Sequence, residues 1–238
     1  MQLTPPPRPT SGADDVAAAL RGAHAQLGAA PAITVLFPEG RQEQGVTSLA
    51  QWAAKGAHLL ELDLLLSPGD TIRLDAPLSW TSAAVCLAAW WSGIAVSLDE
   101  DAEVAVCHQD RLANAKAEDV LVLGDRIDGS PTEEVGEEPW VRAVQTFPDQ
   151  PPLPRAQPDL PALRSGGRIW TQRELLETAR QLEADARTVG LDAEAVNPVD
   201  GLVAVTLRPL VHLRPTVVLR GVDRAEADGD RVAAWLGP

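Results

Sequence analysis

The sequence predicts an α/β protein with layered, mostly parallel sheets covered by helices, and three observations support this prediction. Short apolar segments, typical of buried strands, alternate with longer segments whose apolar residues recur at helical spacing. Gly, Pro and Asp residues mark turns between these segments. The chain has 238 residues, which is enough to bury a full core, as one large domain or as two small ones.

The first elements are a helix and a strand. The helix is predicted to begin at Ser11 or Ala13, since Ser11 and Asp14 have the spacing of a capping box, and to end at Gly28. The apolar segment 32–37 predicts a strand, which is followed by a turn.

A second helix–strand–helix unit follows. Ser48, with Gln51 three residues later, is predicted to cap the second helix. Segment 71–75 predicts a strand, and the apolar segment 79–91 predicts a helix that Gly93 ends.

Further strands are predicted at 94–98, 103–107 and 120–124. Strands that alternate with helices over short connections indicate a parallel sheet covered by helices. We therefore expect these strands to join one largely parallel sheet or two closely packed sheets.

The composition changes after this region and suggests a division of the chain. Residues 1–12 read as a flexible Pro-rich arm and 13–128 as a first α/β half. Residues 129–160 read as an acidic and Pro-rich bridge that contains a short helix near 140–147, and 161–238 as a second α/β half. One compact domain overall is the alternative.

The second half begins with a strong helix signal. Thr171 and Glu174 form a T-x-x-E capping box. Strands are predicted at 202–207 and 216–220, and a last helix at about 224–235.

Charge and cysteine content restrict the function classes. The net charge of −14 argues against binding to nucleic acids and to anionic membrane surfaces, which need basic patches. No long apolar run predicts a membrane span, and the N-terminus lacks the apolar core of a secretory signal. Cys86 and Cys107 lie in apolar segments, as expected of buried reduced thiols in a cytoplasmic protein.

The glycine pair in the stretch 161–175 raises the question of a phosphate site. Ser165, Gly166, Gly167 and Arg168 precede a predicted helix, and small glycine-rich loops that open a helix can hold phosphate. Three interpretations stay open: an ordinary strand-to-helix turn, a residual anion site formed by these four residues, and a working ATP loop. The first is favoured.

Other candidate site residues favour structural roles. His24 and His58 are predicted at the surface or its boundary, and His212 is predicted to be structural. No histidine pair has the i, i+4 spacing of a helical zinc site, so no metal site is predicted. Of Trp90 and Trp91, one ring should pack on the sheet, while the other packs in the core or lines a cleft or a partner interface.

Segment 31–98 resembles the N-terminal region of the adenylate-forming enzymes. This superfamily comprises acyl-CoA synthetases, nonribosomal-peptide adenylation domains and luciferases. The matching features are a strand pair, a threonine at a helix start with Leu and Ala along the helix, the turn Gly69-Asp70, then Gly93 followed by the strand Ile94-Ala95-Val96. More narrowly, the chain resembles a group of short bacterial relatives of these enzymes.

The resemblance implies ATP chemistry, but the sequence departs from the pattern that this chemistry needs. The loop segment keeps Ser165, Gly166 and Gly167 but lacks the hydroxyl run and the Pro-Lys tail. No tyrosine is present for the adenine segment, and the pair Thr132-Glu133 and the ribose-like stretch 123–126 precede the loop instead of following it. The sequence ends about halfway along the length of the full enzymes, so we expect the lid and its lysine to be missing.

Three functions follow as hypotheses. The first is a non-catalytic, truncated homologue, a pseudoenzyme that acts as a ligand-binding or protein-interaction module without a cofactor. Weak AMP or phosphate binding is compatible with it. The second is an acyl- or AMP-forming ligase that works alone or is completed by another chain. The third is a structural homodimer subunit, which an exposed apolar patch at Trp90 or Trp91 would favour.

Overall fold

The computed structural model describes residues 12–237, so the predicted arm over 1–12 lies almost entirely outside the described residues. Two sheets and a set of helices form the fold. The helices are α1 (Val16–Leu27), α2 (Val46–His58), α3 (Trp80–Trp91), α4 (Trp140–Ala143), α5 (Gln172–Gln181), α6 (Pro198–Thr206) and α7 (Arg208–His212). The strands are β1 (Pro31–Phe37), β2 (Gly40–Gly45), β3 (Thr71–Asp75), β4 (Ala95–Ser97), β5 (Val104–His108), β6 (Asp119–Leu123), β7 (Glu138–Pro139), β8 (Pro161–Ser165), β9 (Arg168–Thr171), β10 (Val189–Asp192), β11 (Thr216–Leu219) and β12 (Ala234–Leu236).

Both sheets are mostly parallel, as the alternation of elements predicted. The five-stranded sheet has the order β12-β10-β11-β1-β2, in which only β2 is antiparallel to its neighbour. The seven-stranded sheet has the order β7-β6-β5-β3-β4-β8-β9, in which only β9 is antiparallel. The expected fold class, a layered α/β protein, is therefore confirmed.

Each sheet contains strands from both ends of the sequence. β1 pairs directly with β11, and β4 pairs directly with β8, in both cases across more than sixty residues of chain. Segments 13–128 and 161–238 thus share both sheets, although the boundaries at 129 and 160 stay a prediction.

Helix α3 is the most buried element of the core. All twelve of its residues are buried, and it packs against α1, α2 and α6. Ser79 caps it in a capping box with Ser82, which satisfies backbone N–H groups that would otherwise be unpaired in the interior. Trp90 and Trp91 are both buried, and their indole N–H groups donate to the carbonyls of Ala162 (2.6 Å) and Pro152 (3.0 Å). The rings therefore pack in the core.

Two predicted helix starts are wrong by a few residues. Helix α1 begins at Val16, where Asp15 is the N-cap and accepts from the N–H of Ala18, and Gly28 ends it as predicted. Helix α2 begins at Val46 after Gly45, so Ser48 does not cap it; the Ser48 hydroxyl donates to the side chain of Gln44 instead.

The strand predicted at 202–207 is wrong, because this segment belongs to α6. Residues 201–206 are all buried, and a helix that is apolar all round has no polar face to reveal its 3.6-residue period. The start signal lay upstream: Asn197 accepts from the N–H groups of Val199 and Asp200, and Pro198 occupies the first turn.

The last predicted helix is also wrong in most of its length. Residues Arg224–Asp230 form 3₁₀ turns, and Arg231 adopts a left-handed conformation with φ of 52°. The chain then forms β12, which pairs in parallel with β10. Because Gly229-Asp230 is a turn signal, it separates the two elements.

Other features agree with the sequence. The capping box at Thr171 and Glu174 is present at the start of α5, and both cysteines are buried and unpaired. Within residues 12–237, no helix combines the length and apolarity needed to cross a bilayer.

Candidate functional site

A cavity of about 570 Å³ opens between the two sheets. Its lining comes from residues at or shortly after the carboxyl ends of β3, β4, β5, β10 and β11, and from the N-terminal halves of α3 and α6. In open parallel sheets, ligands bind outside the carboxyl ends of the strands. The cavity lies at this position in both sheets, which makes it the leading candidate site among the described residues. The lining residues are Leu74, Ala76, Pro77, Leu78, Ser82, Leu98, His108, Asp110, Arg111, Ala193, Glu194, Val196, Pro198, Leu202 and Arg220.

The lining combines nine apolar residues with six polar or charged ones. Leu74, Leu78, Leu98 and Leu202 provide wide apolar walls. A cleft of this size, in which polar groups converge between apolar walls, is a candidate small-molecule site.

His108 is the most buried ionisable group in the lining. It is the last residue of β5, and its side chain is 5% exposed. Its Nε2 lies 3.1 Å from Oδ2 of Asp125, and its Nδ1 lies 3.4 Å from Oδ2 of Asp110. One imidazole ring thus lies between two carboxylates.

Two arginines stand at the cavity, and each donates to one carboxylate among the described residues 12–237. Nη1 of Arg220 donates to Oδ1 of Asp125 at 2.8 Å, and Nη1 of Arg111 donates to Oδ1 of Asp75 at 2.8 Å. A guanidinium has five N–H donors, so each arginine can bind a further acceptor while it keeps its carboxylate partner.

The surroundings of Asp125 keep its carboxyl group ionised. The adjacent His108 imidazole is the main cause that lowers the pKa of Asp125 to about 2; partial burial opposes this shift and Arg220 adds to it. Asp125 is therefore a full negative charge at neutral pH that links two residues of the lining.

The four predicted anion-site residues form a hairpin and not the start of a helix. Ser165 and Arg168 pair across β8 and β9, and Gly166 and Gly167 form the turn with φ of 58° and 73°. Two successive residues with positive φ are the mark of a type I′ hairpin turn, which glycine adopts at little cost. The expected strand-to-helix turn is therefore wrong: strand β9 separates the glycines from α5.

The hairpin lies at the same sheet edge as the cavity but does not line it. Leu98 lines the cavity, and the next residue, Asp99, accepts a hydrogen bond from the backbone N–H of Gly166. The guanidinium of Arg168 lies over the ring of Trp170 at 4.6 Å. A carboxylate thus already occupies a donor that a phosphate would need.

The histidines named from the sequence lie elsewhere. His24 is exposed on α1, and His58 is partly buried and contacts the carbonyl of Gln150. Nε2 of His212 lies 2.9 Å from the carbonyl oxygen of Ala179, and burial lowers the pKa of this imidazole. A neutral imidazole that donates to a buried carbonyl fits the predicted structural role.

Sequence reasoning missed the residues that meet at the cavity. His108, Asp125 and Arg220 come from three separate segments, and the ribose-like stretch 123–126, which contains Asp125, has the wrong order in the sequence for the family pattern. The signal was present, because each of the three follows or ends a predicted apolar strand. Polar residues at the carboxyl ends of parallel strands converge at one edge.

Comparison with known proteins identifies the fold. An acyl-CoA synthetase from Brucella canis matches with a TM-score of 0.68 and 16% identity, over 94% of this chain and 46% of that structure. Coronafacic acid ligase from Pectobacterium brasiliense matches with a TM-score of 0.66 and 13% identity, over 91% and 47%. A fatty acyl CoA synthetase from Mycobacterium tuberculosis gives 0.64 and 14%, over 91% and 47%. The fold is that of the N-terminal domains of adenylate-forming enzymes.

The sequence comparison is consistent with this fold but covers less of the chain. A Mycobacterium tuberculosis protein (strain ATCC 25618 / H37Rv), named only by a family number, is 34% identical over 164 residues, which are 64% of each chain. No protein-family model matches the chain. The chain spans just under half the length of the solved enzymes and about two thirds of the mycobacterial relative.

Proposed function

We propose that this chain is a non-catalytic relative of the adenylate-forming enzymes that binds a small molecule with an apolar body and one acidic group. The observation that carries the proposal is the cavity at the carboxyl ends of both sheets. The adjacent hairpin lacks the hydroxyl run and the Pro-Lys tail that the family pattern uses to bind the phosphates of ATP.

The cavity has the size and the chemistry for this ligand. Its volume of about 570 Å³ is within the range of small-molecule sites, roughly 300–1,000 Å³. Leucine side chains would contact the apolar body. Beside the carboxylate that each binds in the described part of the chain, Arg111 and Arg220 have further N–H donors for the acidic group. The N-terminal turns of α3 and α6, which contribute Ser82 and Pro198 to the lining, favour negative charge.

The geometry of the hairpin supports the absence of adenylation. Transfer of an acyl group to AMP needs donors and a cation around the departing pyrophosphate. Here the glycine turn is tight, and the carboxylate of Asp99 accepts from Gly166. A polyphosphate at this turn would meet a negative charge, and Arg168 would be the nearest cation of the hairpin.

Ser165, Gly166, Gly167 and Arg168 remain a predicted weak anion site. Because Asp99 competes for the N–H of Gly166, AMP or phosphate would bind there only by displacing this carboxylate. We therefore expect any such binding to be weaker than binding in the cavity.

Other parts of the proposal rest on composition. The net charge of −14 disfavours nucleic-acid partners, and two buried unpaired cysteines fit a cytoplasmic protein. A protein partner or a homodimer remains compatible with the proposal, but Trp90 and Trp91 are buried and would not form the interface.

A thermal-shift screen tests the proposal, because a ligand that binds the native state raises the melting temperature. Octanoate, octanoyl-CoA, AMP and ATP serve as probes. We expect octanoate to raise the Tm, and we expect this rise to be lost in Ala193→Phe, which fills the cavity, and kept in Gly166→Ala. A rise with ATP alone that Gly166→Ala abolishes would contradict the proposal and favour the ligase hypothesis.

A further inference from the structure

The surroundings of His108 determine which of its ring nitrogens carries the proton. The backbone N–H of Asp110 donates to Nδ1 of His108 at 3.4 Å. A neutral imidazole accepts at one ring nitrogen and carries its proton on the other, so this contact places the proton on Nε2. Nε2 lies 3.1 Å from Oδ2 of Asp125. The N–H group of the imidazole is therefore on the side of the ring where the Asp125 carboxylate lies.

The proton on Nε2 is buried and needs a partner. The His108 side chain is 5% exposed, and within residues 12–237 Nε2 has no aligned hydrogen-bond acceptor. An unpaired buried N–H group costs free energy, and a small rotation towards the carboxylate at 3.1 Å removes this cost. The low pKa of Asp125, of which His108 is the main cause, agrees with an attraction between the two side chains.

The Asp125 carboxylate is held at both of its oxygens. Oδ2 faces His108, and Oδ1 accepts from Nη1 of Arg220 at 2.8 Å. The backbone is fixed as well, because the side-chain amide of Gln42 donates to the carbonyls of Asp125 and Arg126 at 3.3 and 3.0 Å. A carboxylate with a donor at each oxygen cannot rotate without losing one of them. Its orientation therefore determines where the guanidinium of Arg220 lies.

The three side chains connect the two sheets at the cavity. His108 ends β5, and Asp125 comes two residues after β6, which is the neighbour of β5 in the seven-stranded sheet. Arg220 directly follows β11 in the five-stranded sheet. His108 and Arg220 both line the cavity. Asp125 thus fixes the arginine of one sheet relative to the strand ends of the other.

Arg220 is better suited than Arg111 to anchor an acidic group. The side chain of Arg220 is 21% exposed and that of Arg111 is 47% exposed, so water screens the charge of Arg220 less. Asp75, the partner of Arg111, is shared with Arg73. The partner of Arg220 is instead held from both sides, and an arginine that is fixed in advance loses less rotamer freedom when a ligand binds.

We propose that Arg220 is the main anchor for the acidic group of the ligand, and that His108 and Asp125 are positioning residues that hold its guanidinium in the binding orientation. This inference rests on the proposed function, because it assigns roles within the same cavity. The acidic group binds N–H groups of Arg220 other than the one that donates to Asp125. His108 acts through Asp125.

Calorimetric titration of the full chain with octanoate at pH 8 tests these roles through variants that leave the number of carboxylates unchanged. Arg220→Lys keeps the charge but loses the planar fork, and it should weaken binding by about tenfold or more, as for a lost hydrogen bond to a charged group. Arg111→Lys should weaken binding less. His108→Leu removes the Nε2 donor and should weaken binding about two- to tenfold, because Arg220 then loses rotamer freedom on binding. His108→Gln keeps an amide N–H donor on the side chain and should restore most of the affinity.

A measurement on the chain without ligand separates this inference from the proposed function. The ¹H–¹⁵N heteronuclear NOE of the Arg220 side chain reports how rigidly that side chain is held. It should be high in the unmodified chain, fall in His108→Leu and recover in His108→Gln, and the imidazole ¹⁵N shifts of His108 should show the proton on Nε2. Arg41 is the internal control, since it binds Glu43 and Asp230 outside the cavity lining, and its NOE should not change.

Each possible result bears on one of the two proposals. If octanoate does not bind the unmodified chain but the Arg220 NOE falls in His108→Leu, the proposed function is wrong and the positioning of Arg220 is supported. If octanoate binds equally well to the unmodified chain, His108→Leu and Arg220→Lys, the inference is overturned and the proposed function stands. A proton on Nδ1, or an unchanged Arg220 NOE in His108→Leu, would also overturn the inference. If His108→Leu does not fold, Asp125→Glu keeps the charge, displaces the carboxylate by one methylene and should give the same losses.

Discussion

Two glycine-containing loops lie at the same edge of the fold, but they differ in whether they contact residues of the cavity wall. The hairpin turn of Gly166 and Gly167 drew attention in the sequence, yet it closes two antiparallel strands and its donor is taken by Asp99. The loop 124–131, which contains most of the ribose-like stretch 123–126, holds Asp125 against two residues of the cavity wall. Glycine spacing alone therefore does not locate a site; the strand order decides which loops face a shared space.

The two loops also use their glycines for different physical reasons. Gly166 has a positive φ of 58° and open space around it. A side chain on Gly124 would meet backbone atoms of Ser130 and Pro131 at 2.3 Å. The first glycine supplies a backbone conformation and the second permits close packing of two chain segments.

The largest effect is expected at the cavity loop. Gly124→Ala should destabilise the fold by about 3 kcal/mol, because backbone atoms at this distance cannot move aside as a flexible side chain would. Urea unfolding of the variant and the unmodified chain measures the difference. A loss of less than about 0.5 kcal/mol would mean that the loop adjusts freely and that Asp125 is not held in place by this packing.

The hairpin glycine should be less costly to replace. Gly166→Ala should destabilise by about 1 kcal/mol, the strain of a left-handed conformation for a residue with a Cβ atom. The same urea experiment measures it, with Gly136→Ala as a control, since Gly136 has open space and no positive φ. An effect equal to that of Gly124→Ala would remove the distinction between the two loops.

The helix that follows the hairpin provides a smaller test. Thr171→Ala should cost roughly 1 kcal/mol or slightly less, through loss of the N-cap bond to the N–H of Glu174. Thr171→Ser keeps the hydroxyl and should restore most of the stability. An unchanged Tm for Thr171→Ala would show that the capping box does not contribute.

The smallest expected difference between the two loops is in how the free energy of unfolding depends on pH at acidic pH. The side-chain and backbone hydrogen bonds from Ser130 lower the pKa of Asp128 in the cavity loop. A lowered pKa means that the unfolded chain binds the proton more readily, so the stabilisation is present above about pH 3.9 and is lost as the pH falls further. Asp128→Asn should flatten this part of the stability curve, measured by urea unfolding between pH 5 and pH 2; a curve of unchanged slope would exclude this contribution.

The elements with strong local signals were predictable, and those set by tertiary contacts were not. Strand β3 and the T-x-x-E start of α5 appear where the pattern placed them. Helix α6 was mistaken for a strand because burial on all sides removed its polar face. Strand β12 forms because β10 offers an open edge, which no local pattern encodes.

The candidate site shows the same limit. His108 and Arg220 were visible as polar residues at strand ends, but only the order of strands within the two sheets brings them together. Sequence reasoning did select Gly166 and Gly167, and these residues do form a turn, but the turn joins two strands and not a strand and a helix. Their neighbour Asp99, which decides whether an anion can bind there, lies 67 residues away in sequence.

Amide chemical shifts of the ¹⁵N-labelled chain test the central claim most directly, because they report on both loops in one titration. The chain is titrated with octanoate and, separately, with ATP. We predict that octanoate causes saturable shifts at the amides of His108, Glu194 and Arg220. Any shift of Gly166 and Gly167 with ATP should saturate only at a much higher concentration than the shifts of the cavity amides do. Saturable movement of Gly166 and Gly167 with ATP, while the cavity amides stay unchanged with octanoate, would contradict the account and place the ligand site at the hairpin.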